Sequence, residues 1–208
     1  MNITDLQWWM DDCFNRVPEF HKSQWSNAVN GIRYFRPDNR DVDDFGKPVP
    51  YGTGPHCLLA FQTWASSLWR PKHILEIGFN CGNGSAALFS CLPIDCKITS
   101  IDIRDSEEVR FASGALNNKF DGRHTLKIGD SAKSDEIAHG VYDGAFIDGA
   151  HDLESIVKDI AACRRLGIKQ FLFDDIFPQF GETLPAIKSS GLRMLAIVGA
   201  NMAICTEA

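Results

Sequence analysis

Residues 75–85 are LEIGFNCGNGS, a short apolar run that leads directly into a glycine-rich turn. Gly78, Gly82 and Gly84 lie in this turn, immediately before a stretch of small and apolar residues. Because glycine has no Cβ, it tolerates positive φ angles and lets a ligand approach the backbone closely. The pattern therefore predicts a β-strand, a ligand-binding turn and a helix in succession.

The glycine spacing is compatible with more than one kind of cofactor. Gly82, Gly84 and Ala87 fit G-x-G-x-x-A, the dinucleotide fingerprint, which normally begins directly at the strand end. Here Gly78 ends the strand, and the G-x-G follows four residues later. The longer loop, with the spacing E-x-G-x-x-x-G-x-G from Glu76, resembles the first motif of class I S-adenosylmethionine-dependent methyltransferases. A tight packing turn that binds no ligand is the remaining alternative.

From residue 73 onward, β-rich runs alternate with stretches of helical spacing, which is typical of a parallel sheet flanked by helices. The predicted strands are HILEIGF (73–79), KITSIDI (97–103), HTLKIGD (124–130), YDGAFIDG (142–149), KQFLFDDI (169–176), LRMLAIVG (192–199) and NMAICTEA (201–208). Leu153, Ile156, Val157 and Ile160 form the clearest helical stripe. The last two runs are too close together for a crossover helix, so they must form an antiparallel hairpin.

We therefore predict an α/β fold with a Rossmann-like sheet of five parallel strands followed by a C-terminal antiparallel hairpin. The length of 208 residues favours a single domain. Residues 71–208 are interpreted as the cofactor-binding core, and residues 1–70 as a small helical cap and lid with a helix from about Pro55 to Trp69.

The N-terminal segment is unusually aromatic. Its large aromatic residues are expected to pack the cap or a dimer interface, or else to line a wall over a substrate. These residues include Trp8, Trp9, Trp25, Tyr34 and Phe35. The acidic residues Asp41, Asp43 and Asp44 are expected on a solvated loop or on a lid that orders when ligands bind.

Polar residues at the strand ends extend the predicted cofactor site. Asp102 ends the second strand, 18 residues after Gly84, where a carboxylate can accept both ribose hydroxyl protons. Asp130 and Ser131 end the third strand, within reach of an adenine. The complete predicted cofactor set is Glu76, Gly78, Asn80, Gly82, Gly84, Ser85, Asp102, Asp130, Ser131 and Asp148.

An acidic cluster is predicted beside this site. The fourth strand ends in FIDGAH and the fifth in FLFDDI, so Asp148, Asp174 and Asp175 should meet at one edge of a parallel sheet. Three crowded carboxylates repel one another unless a cation lies between them, and oxygen ligands favour Mg²⁺ or another hard divalent ion. His151, three residues after Asp148, is suited to removing a proton from a hydroxyl. Alternatively, one aspartate caps a helix and His151 is a surface residue.

Composition narrows the choice of partners. The formal charge of −6 argues against nucleic acid as a partner, because nucleic-acid binding requires a basic face.

The sequence has neither a long apolar span nor a secretory signal, so we expect a cytoplasmic protein that does not bind membranes. The seven cysteines are scattered and contain no C-x-x-C pair, which indicates free thiols. Homo-oligomer formation is left open.

From about Gly52 onward, the chain resembles metal-dependent small-molecule O-methyltransferases, especially the macrocin and mycinamicin sugar O-methyltransferases, and more distantly catechol O-methyltransferase. The matching segments are LEIGFNCGNGS, ITSID, IGDS, FIDGAH with DLESIVKDI, and FDDI. The resemblance implies that Asp148, Asp174 and Asp175 hold Mg²⁺ and that His151 acts as the base. RRLGIKQ replaces the usual Pro-Gly-Gly turn, and little of the sugar enzymes' substrate-binding extension is present.

These observations favour an enzyme that transfers a methyl group from S-adenosylmethionine to a hydroxyl of a small molecule, with His151 and Asp148 as catalytic residues. Three alternatives remain at this point. They are a metal-independent methyltransferase acting on nitrogen or on a protein, a nicotinamide-dependent oxidoreductase, and a nucleotide-binding module without catalytic activity.

Overall fold

The computed structural model describes residues 55–80, 82–178, 181–198 and 201–208. These residues form a sheet of seven strands in the order β3-β2-β1-β4-β5-β7-β6. The strands are β1 (His73–Ile77), β2 (Lys97–Asp102), β3 (His124–Ile128), β4 (Gly144–Ile147), β5 (Gln170–Phe173), β6 (Arg193–Val198) and β7 (Met202–Thr206). The first five pair in parallel, whereas β7 runs antiparallel to both β5 and β6. The predicted α/β sheet and its terminal hairpin are thus confirmed.

The described residues also form six helices, one before β1 and five between strands. They are α1 (Pro55–Ser67), α2 (Asn83–Cys91), α3 (Glu107–Lys119), α4 (Ser134–Ile137), α5 (Leu153–Arg165) and α6 (Thr183–Ser189), and a 3₁₀ turn (Ser131–Lys133) precedes α4. Apolar residues of α1, α2 and α3 pack on one face of the sheet, and those of α4, α5 and α6 pack on the other. The two faces of the central strands are therefore both buried.

The observed elements follow from the local sequence. Helix α5 begins where the Asp152 side chain accepts a hydrogen bond from the backbone N–H of Ser155, the usual role of an N-cap aspartate. Ile156 and Ile160 of its predicted stripe are buried. The strands are shorter than predicted, because the residues after Ile77, Asp102 and Ile147 leave the ladder and form the turns at the carboxyl edge of the sheet.

The order of the strands positions the functional edge. The chain passes from β1 outward to β2 and β3, and then returns to the opposite side of β1 with β4. Ligands of open α/β sheets bind at the carboxyl ends of the strands, beside such a reversal. The turns after β1 and β4 therefore mark the expected site.

Several sequence-based predictions lie outside the described residues. They concern the cap and lid before Pro55, with its aromatic and acidic residues, and the tip of the hairpin at residues 199–200. The predicted helix near Pro55 to Trp69 is confirmed as α1. Among the described cysteines, Cys91, Cys96, Cys163 and Cys205 are free thiols. No helix in the described part of the chain has the length and apolar character needed to cross a membrane.

Replacing Gly78 by alanine should severely destabilise the fold. Gly78 has φ +88°, and a Cβ added there would lie 2.0 Å from the backbone oxygen of Asp148. Gly122 has φ +71° but no atom within 4 Å of an added Cβ, so Gly122→Ala reports the φ strain alone. We expect a cost of about 1 kcal/mol for Gly122→Ala and roughly 3 kcal/mol or more for Gly78→Ala in urea unfolding. Equal costs for the two variants would contradict this contact.

Candidate functional site

A cleft of about 580 Å³ opens at the carboxyl edge of the sheet. It contains seven of the residues that the sequence assigned to the site: Gly78, Asn80, Asp102, Asp130, Ser131, Asp148 and His151. Its other lining residues are Ile77, Ile101, Ile103, Arg104, Ala132, Gly149, Ala150, Ser155, Lys158 and Asp159. A cleft of this volume is large enough for a nucleoside-sized ligand.

Asp102 organises one wall of the cleft. Its carboxylate is only 7% exposed, and each of its oxygens accepts a backbone N–H, Oδ2 from Asn80 at 2.6 Å and Oδ1 from Arg104 at 2.8 Å. The Arg104 guanidinium also donates to Asn80 Oδ1 at 2.5 Å. Asp102 thus fixes the turn after β1, where Asn80 has φ +50°. Because each carboxylate oxygen has two lone pairs, Asp102 can still accept hydrogen bonds from a ligand.

Glu76 lies behind this turn, inside the layer between the sheet and α2. It is 1% exposed, and its Oε2 accepts hydrogen bonds from the hydroxyls of Ser85 and Ser100. Burial raises the pKa of Glu76 to about 7, against the opposing effect of these hydrogen bonds. Glu76, Gly82, Gly84 and Ser85 are not among the lining residues of the cleft. Glu76 and Ser85 are hydrogen-bonded to each other behind the turn, and direct cofactor contact by all four residues stays a prediction.

The buried hydrogen-bond network continues away from the cleft. Ser100 Oγ lies 2.9 Å from His124 Nε2, and His124 Nδ1 lies 3.1 Å from Ser113 Oγ. Burial lowers the pKa of His124 to about 4, so this imidazole is neutral at physiological pH. The network therefore connects β1 and α2 to β2, β3 and α3 without a buried cation.

The acidic residues meet beside the cleft as the strand order predicts. One potential ligand atom each from Asp148, His151 and Asp175 lie within 4.8 Å of one another. His151 Nε2 is 3.6 Å from Asp175 Oδ2, and the His151 side chain is 41% exposed. Carboxylate oxygens and one imidazole nitrogen are a suitable donor set for a divalent ion, so these residues fit the implied metal.

Asp174 is placed differently from its neighbour. Its Oδ1 accepts from the backbone N–H of Asp175 at 2.8 Å and from Asn201 Nδ2 at 3.3 Å. It does not belong to the compact group of potential ligands, where His151 takes the third position. The role of Asp174 as a metal ligand therefore stays a prediction.

The pKa values of Asp148 and Asp174 are both raised in the folded protein. Burial, followed by the charges of Asp174, Asp175 and Glu76, raises the pKa of Asp148 well above its usual value. Burial and the charge of Asp175 raise the pKa of Asp174 to about 7. A cation bound between these groups would relieve both effects.

Sequence reasoning missed several residues that shape the site. Asn201, 5% exposed and just before β7, donates to the carboxylates of both Asp174 and Asp175. Glu182 donates its backbone N–H to the carbonyl oxygen of His151 at 2.8 Å, and its side chain accepts from Leu153 N at 3.1 Å. No sequence pattern marks these two positions.

Asp159 did have a detectable signal. It lies three residues after Ile156 and directly before Ile160, so an acidic residue interrupts the buried stripe of α5. Charged residues are rarely buried without a partner, and such an interruption therefore indicates a specific role.

Comparison with known proteins supports the predicted methyltransferase domain. Residues 75–170 match a family model described as a methyltransferase domain. A comparison with curated proteins gives no significant match.

Solved structures show the same fold. An O-methyltransferase from Bacillus cereus in complex with S-adenosylhomocysteine (SAH) aligns over 96% of this chain and 90% of its own, with 13% identity and a TM-score of 0.59. The SAH-bound methyltransferase PaMTH1 from Podospora anserina aligns over 95% of this chain and 93% of its own, with 14% identity and a TM-score of 0.59. Cofactor-bound Rv0187 from MTB aligns over 76% of this chain and 84% of its own, with 17% identity and a TM-score of 0.61. At these identities the similarity establishes the fold.

The metal-free protein should lose stability as pH rises from about 4 to 7. The pKa of Asp174, about 7, is raised above the value near 4 that it has in an unfolded chain. The folded state therefore binds more protons in this window, and the stability present below pH 4 is lost as Asp174 ionises. In the presence of a chelator, the free energy of unfolding of Asp174→Asn should exceed that of the wild type by about 1–2 kcal/mol at pH 8. The two values should differ little at pH 4.

Urea unfolding across this pH range measures the effect. Glu136→Gln makes the same change of charge at an exposed position on α4 and serves as the control. An Asp174→Asn difference that is constant with pH would show that the carboxylate is not strained in the folded state.

Proposed function

Starting from a class I methyltransferase fold in which residues 75–170 match a methyltransferase domain family, we propose that this chain transfers a methyl group from S-adenosylmethionine to a hydroxyl of a small molecule with the help of a divalent cation. The observation that carries the proposal is the convergence of Asp148, His151 and Asp175 beside a nucleoside-sized cleft. The SAH bound to two of the similar structures supports the cofactor.

The cofactor would lie along the cleft with its ribose at Asp102. The two oxygens of this carboxylate are held in place by backbone N–H groups, and their free lone pairs suit the two ribose hydroxyls. Asp130 and Ser131 line the part of the cleft beyond β3 and would face the adenine. The methionine portion would then extend toward Gly78 and Asp148.

Bound S-adenosylmethionine supplies an electrophilic methyl group on its sulfonium. His151 Nε2 would take the proton from the acceptor hydroxyl, and the oxygen lone pair would form the new bond to the methyl carbon. The electrons of the broken C–S bond remain on sulfur, which yields SAH, the methyl ether and protonated His151. Asp175, 3.6 Å from His151 Nε2, would stabilise the imidazolium that results.

Asp148 and Asp175, with Asp174 or His151 as the neighbouring ligand, would hold the cation. A divalent cation at this position would lower the pKa of the acceptor hydroxyl and orient it. The chain's own contribution is to bring the ligands of the ion and the proton acceptor to one end of the cleft.

One prediction of the proposed function concerns cofactor binding. SAH should bind the purified chain, and Asp102→Ala should weaken binding at least tenfold, because the carboxylate contributes charge-assisted hydrogen bonds to the ribose. Asp105→Ala, which removes an exposed carboxylate paired with Arg110, should bind as the wild type does. Calorimetry with SAH and with NAD distinguishes a methyltransferase from a nicotinamide-dependent oxidoreductase.

Wild-type affinity in Asp102→Ala would remove Asp102 from the binding site. Binding of NAD instead of SAH would favour an oxidoreductase, and binding of neither would refute the proposed methyl transfer.

The second prediction separates the two roles open to His151. If it is the base, His151→Ala should lose roughly 10²- to 10⁴-fold in turnover with an identified acceptor. The same variant should keep the rise in melting temperature that Mn²⁺ gives to the wild type, whereas Asp148→Asn should lose it. His139→Ala, at an exposed position, is the control.

Loss of the Mn²⁺ effect in His151→Ala would make this residue a ligand instead of the base. Full activity after thorough chelation would favour a metal-independent methyltransferase acting on nitrogen or on a protein.

A further inference from the structure

Asn201 is a buried amide beside the acidic cluster, and the reaction described above does not use it. It lies immediately before β7 and is 5% exposed. Its side-chain nitrogen donates to Oδ1 of Asp175 and, at 3.3 Å, to Oδ1 of Asp174. Its backbone oxygen accepts the N–H of Ile176 at 3.2 Å. One residue of the terminal hairpin thus contacts three consecutive residues that follow β5.

The surroundings of this amide fix its orientation. The side-chain oxygen of Asn201 is buried and has no hydrogen-bond partner among the described residues. Turning the amide over would give that oxygen no donor, because it would then face two carboxylates, which are acceptors when ionised. The amide nitrogen therefore faces the aspartates although the amide oxygen is left unpaired, an arrangement that is costly for a buried group. This cost favours a specific role for the contact with the carboxylates.

Asp175 has a backbone conformation that requires such support. Its φ angle is +53°, in the left-handed region that residues other than glycine adopt only at an energetic cost. Conformations of this kind persist where the surrounding structure holds them, and they cluster at functional sites. Asn201 supports this turn twice, through its side chain at Asp175 and through its backbone at Ile176.

The two carboxylate oxygens of Asp175 have different neighbours. Oδ1 accepts the hydrogen bond from Asn201, whereas Oδ2 lies 3.6 Å from His151 Nε2. Asp175 and His151 belong, together with Asp148, to the compact group of potential metal ligands. Hydrogen bonds from outside a metal site fix the direction of the ligating side chains. By holding Oδ1, the amide leaves Oδ2 directed at this group.

We propose that Asn201 is a positioning residue of the cation site, which directs Oδ2 of Asp175 toward a divalent ion and thereby raises the affinity for that ion. This step rests on the proposed function, in which the cation is bound beside Asp148. Asn201 acts through Asp175 and not on the ion, because an amide nitrogen that donates N–H groups is not a metal ligand. Asp174 also accepts from Asn201, so the experiment separates the two carboxylates.

Mn²⁺ titrations of the full chain, followed by the electron paramagnetic resonance of the free ion, provide the test. Asn201→Ala should lower the Mn²⁺ affinity about 10- to 100-fold, the usual effect of losing such an outer hydrogen bond. In an Asp175→Asn background the same replacement should cost less than about threefold, because the carboxylate that it orients is gone. In an Asp174→Asn background the full loss should persist. Asn118→Ala, at an exposed position of α3, should bind Mn²⁺ as the wild type does.

A cooperative thermal transition establishes that each variant is folded, and every result then decides. Unchanged Mn²⁺ affinity in Asn201→Ala overturns the role of Asn201 and leaves the proposed methyl transfer intact. An equal loss with and without the Asp175 carboxylate also overturns it, because Asn201 would then act on the ion or on the fold as a whole. So does a loss that disappears in the Asp174→Asn background.

A second variant covers the case in which Asn201→Ala does not fold. Asn201→Ser then takes its place with the same expectations, because the serine hydroxyl ends one atom short of the amide nitrogen. A wild type that binds no Mn²⁺ refutes the cation-assisted function itself, and the role of Asn201 falls with it.

Discussion

The contact between Gly78 and the backbone of Asp148 is the constraint on which the site depends. At the end of the two central strands, Gly78 N–H still bonds to Ile101 O at 2.9 Å, and Asp148 N–H bonds to Ile77 O at 2.8 Å. Beyond these hydrogen bonds the two backbone segments diverge. A Cβ added to Gly78 would overlap the backbone oxygen of Asp148, so only glycine fits at this position. This close approach sets the direction of the turn after β1 and brings the Asp148 carboxylate beside it. The ligand wall and the acidic cluster are therefore parts of one backbone arrangement.

A second property of this edge is its concentration of buried carboxylates. Glu76, Asp102 and Asp159 are each at most 7% exposed, and the pKa values of Glu76 and Asp159 are raised by burial. Burial of the Glu76 and Asp159 carboxyl groups lowers the stability of the folded protein at neutral pH, because water no longer solvates their charges. Perturbed carboxyls gathered around a cleft are characteristic of functional sites. Here the neighbours differ: hydroxyls for Glu76 and backbone N–H groups for Asp102.

The sequence predicted the sheet and the meeting of its acidic strand ends, since both follow from strand type and parallel order. It did not predict that Glu76 lies behind the turn. This placement follows from strand alternation, which sends Ile74 and Glu76 into one helix layer and Leu75 and Ile77 into the other. It also did not predict Asn201 or Glu182, because their contacts join segments distant along the chain. Composition and periodicity carry information about local structure and burial, whereas such long-range contacts depend on how the turns are placed.

The position of β7 has a consequence for the order in which the site is assembled during synthesis. This strand is inserted between β5 and β6, although it follows both along the chain. Asn201, immediately before β7, donates to both Asp174 and Asp175. While the chain is being translated, β1 to β5 emerge first, with β5 exposing an unpaired edge and the two aspartates lacking this amide. In a nascent chain, Asp174 and Asp175 therefore lack the hydrogen bonds from Asn201 until β7 has left the ribosome and the hairpin has closed.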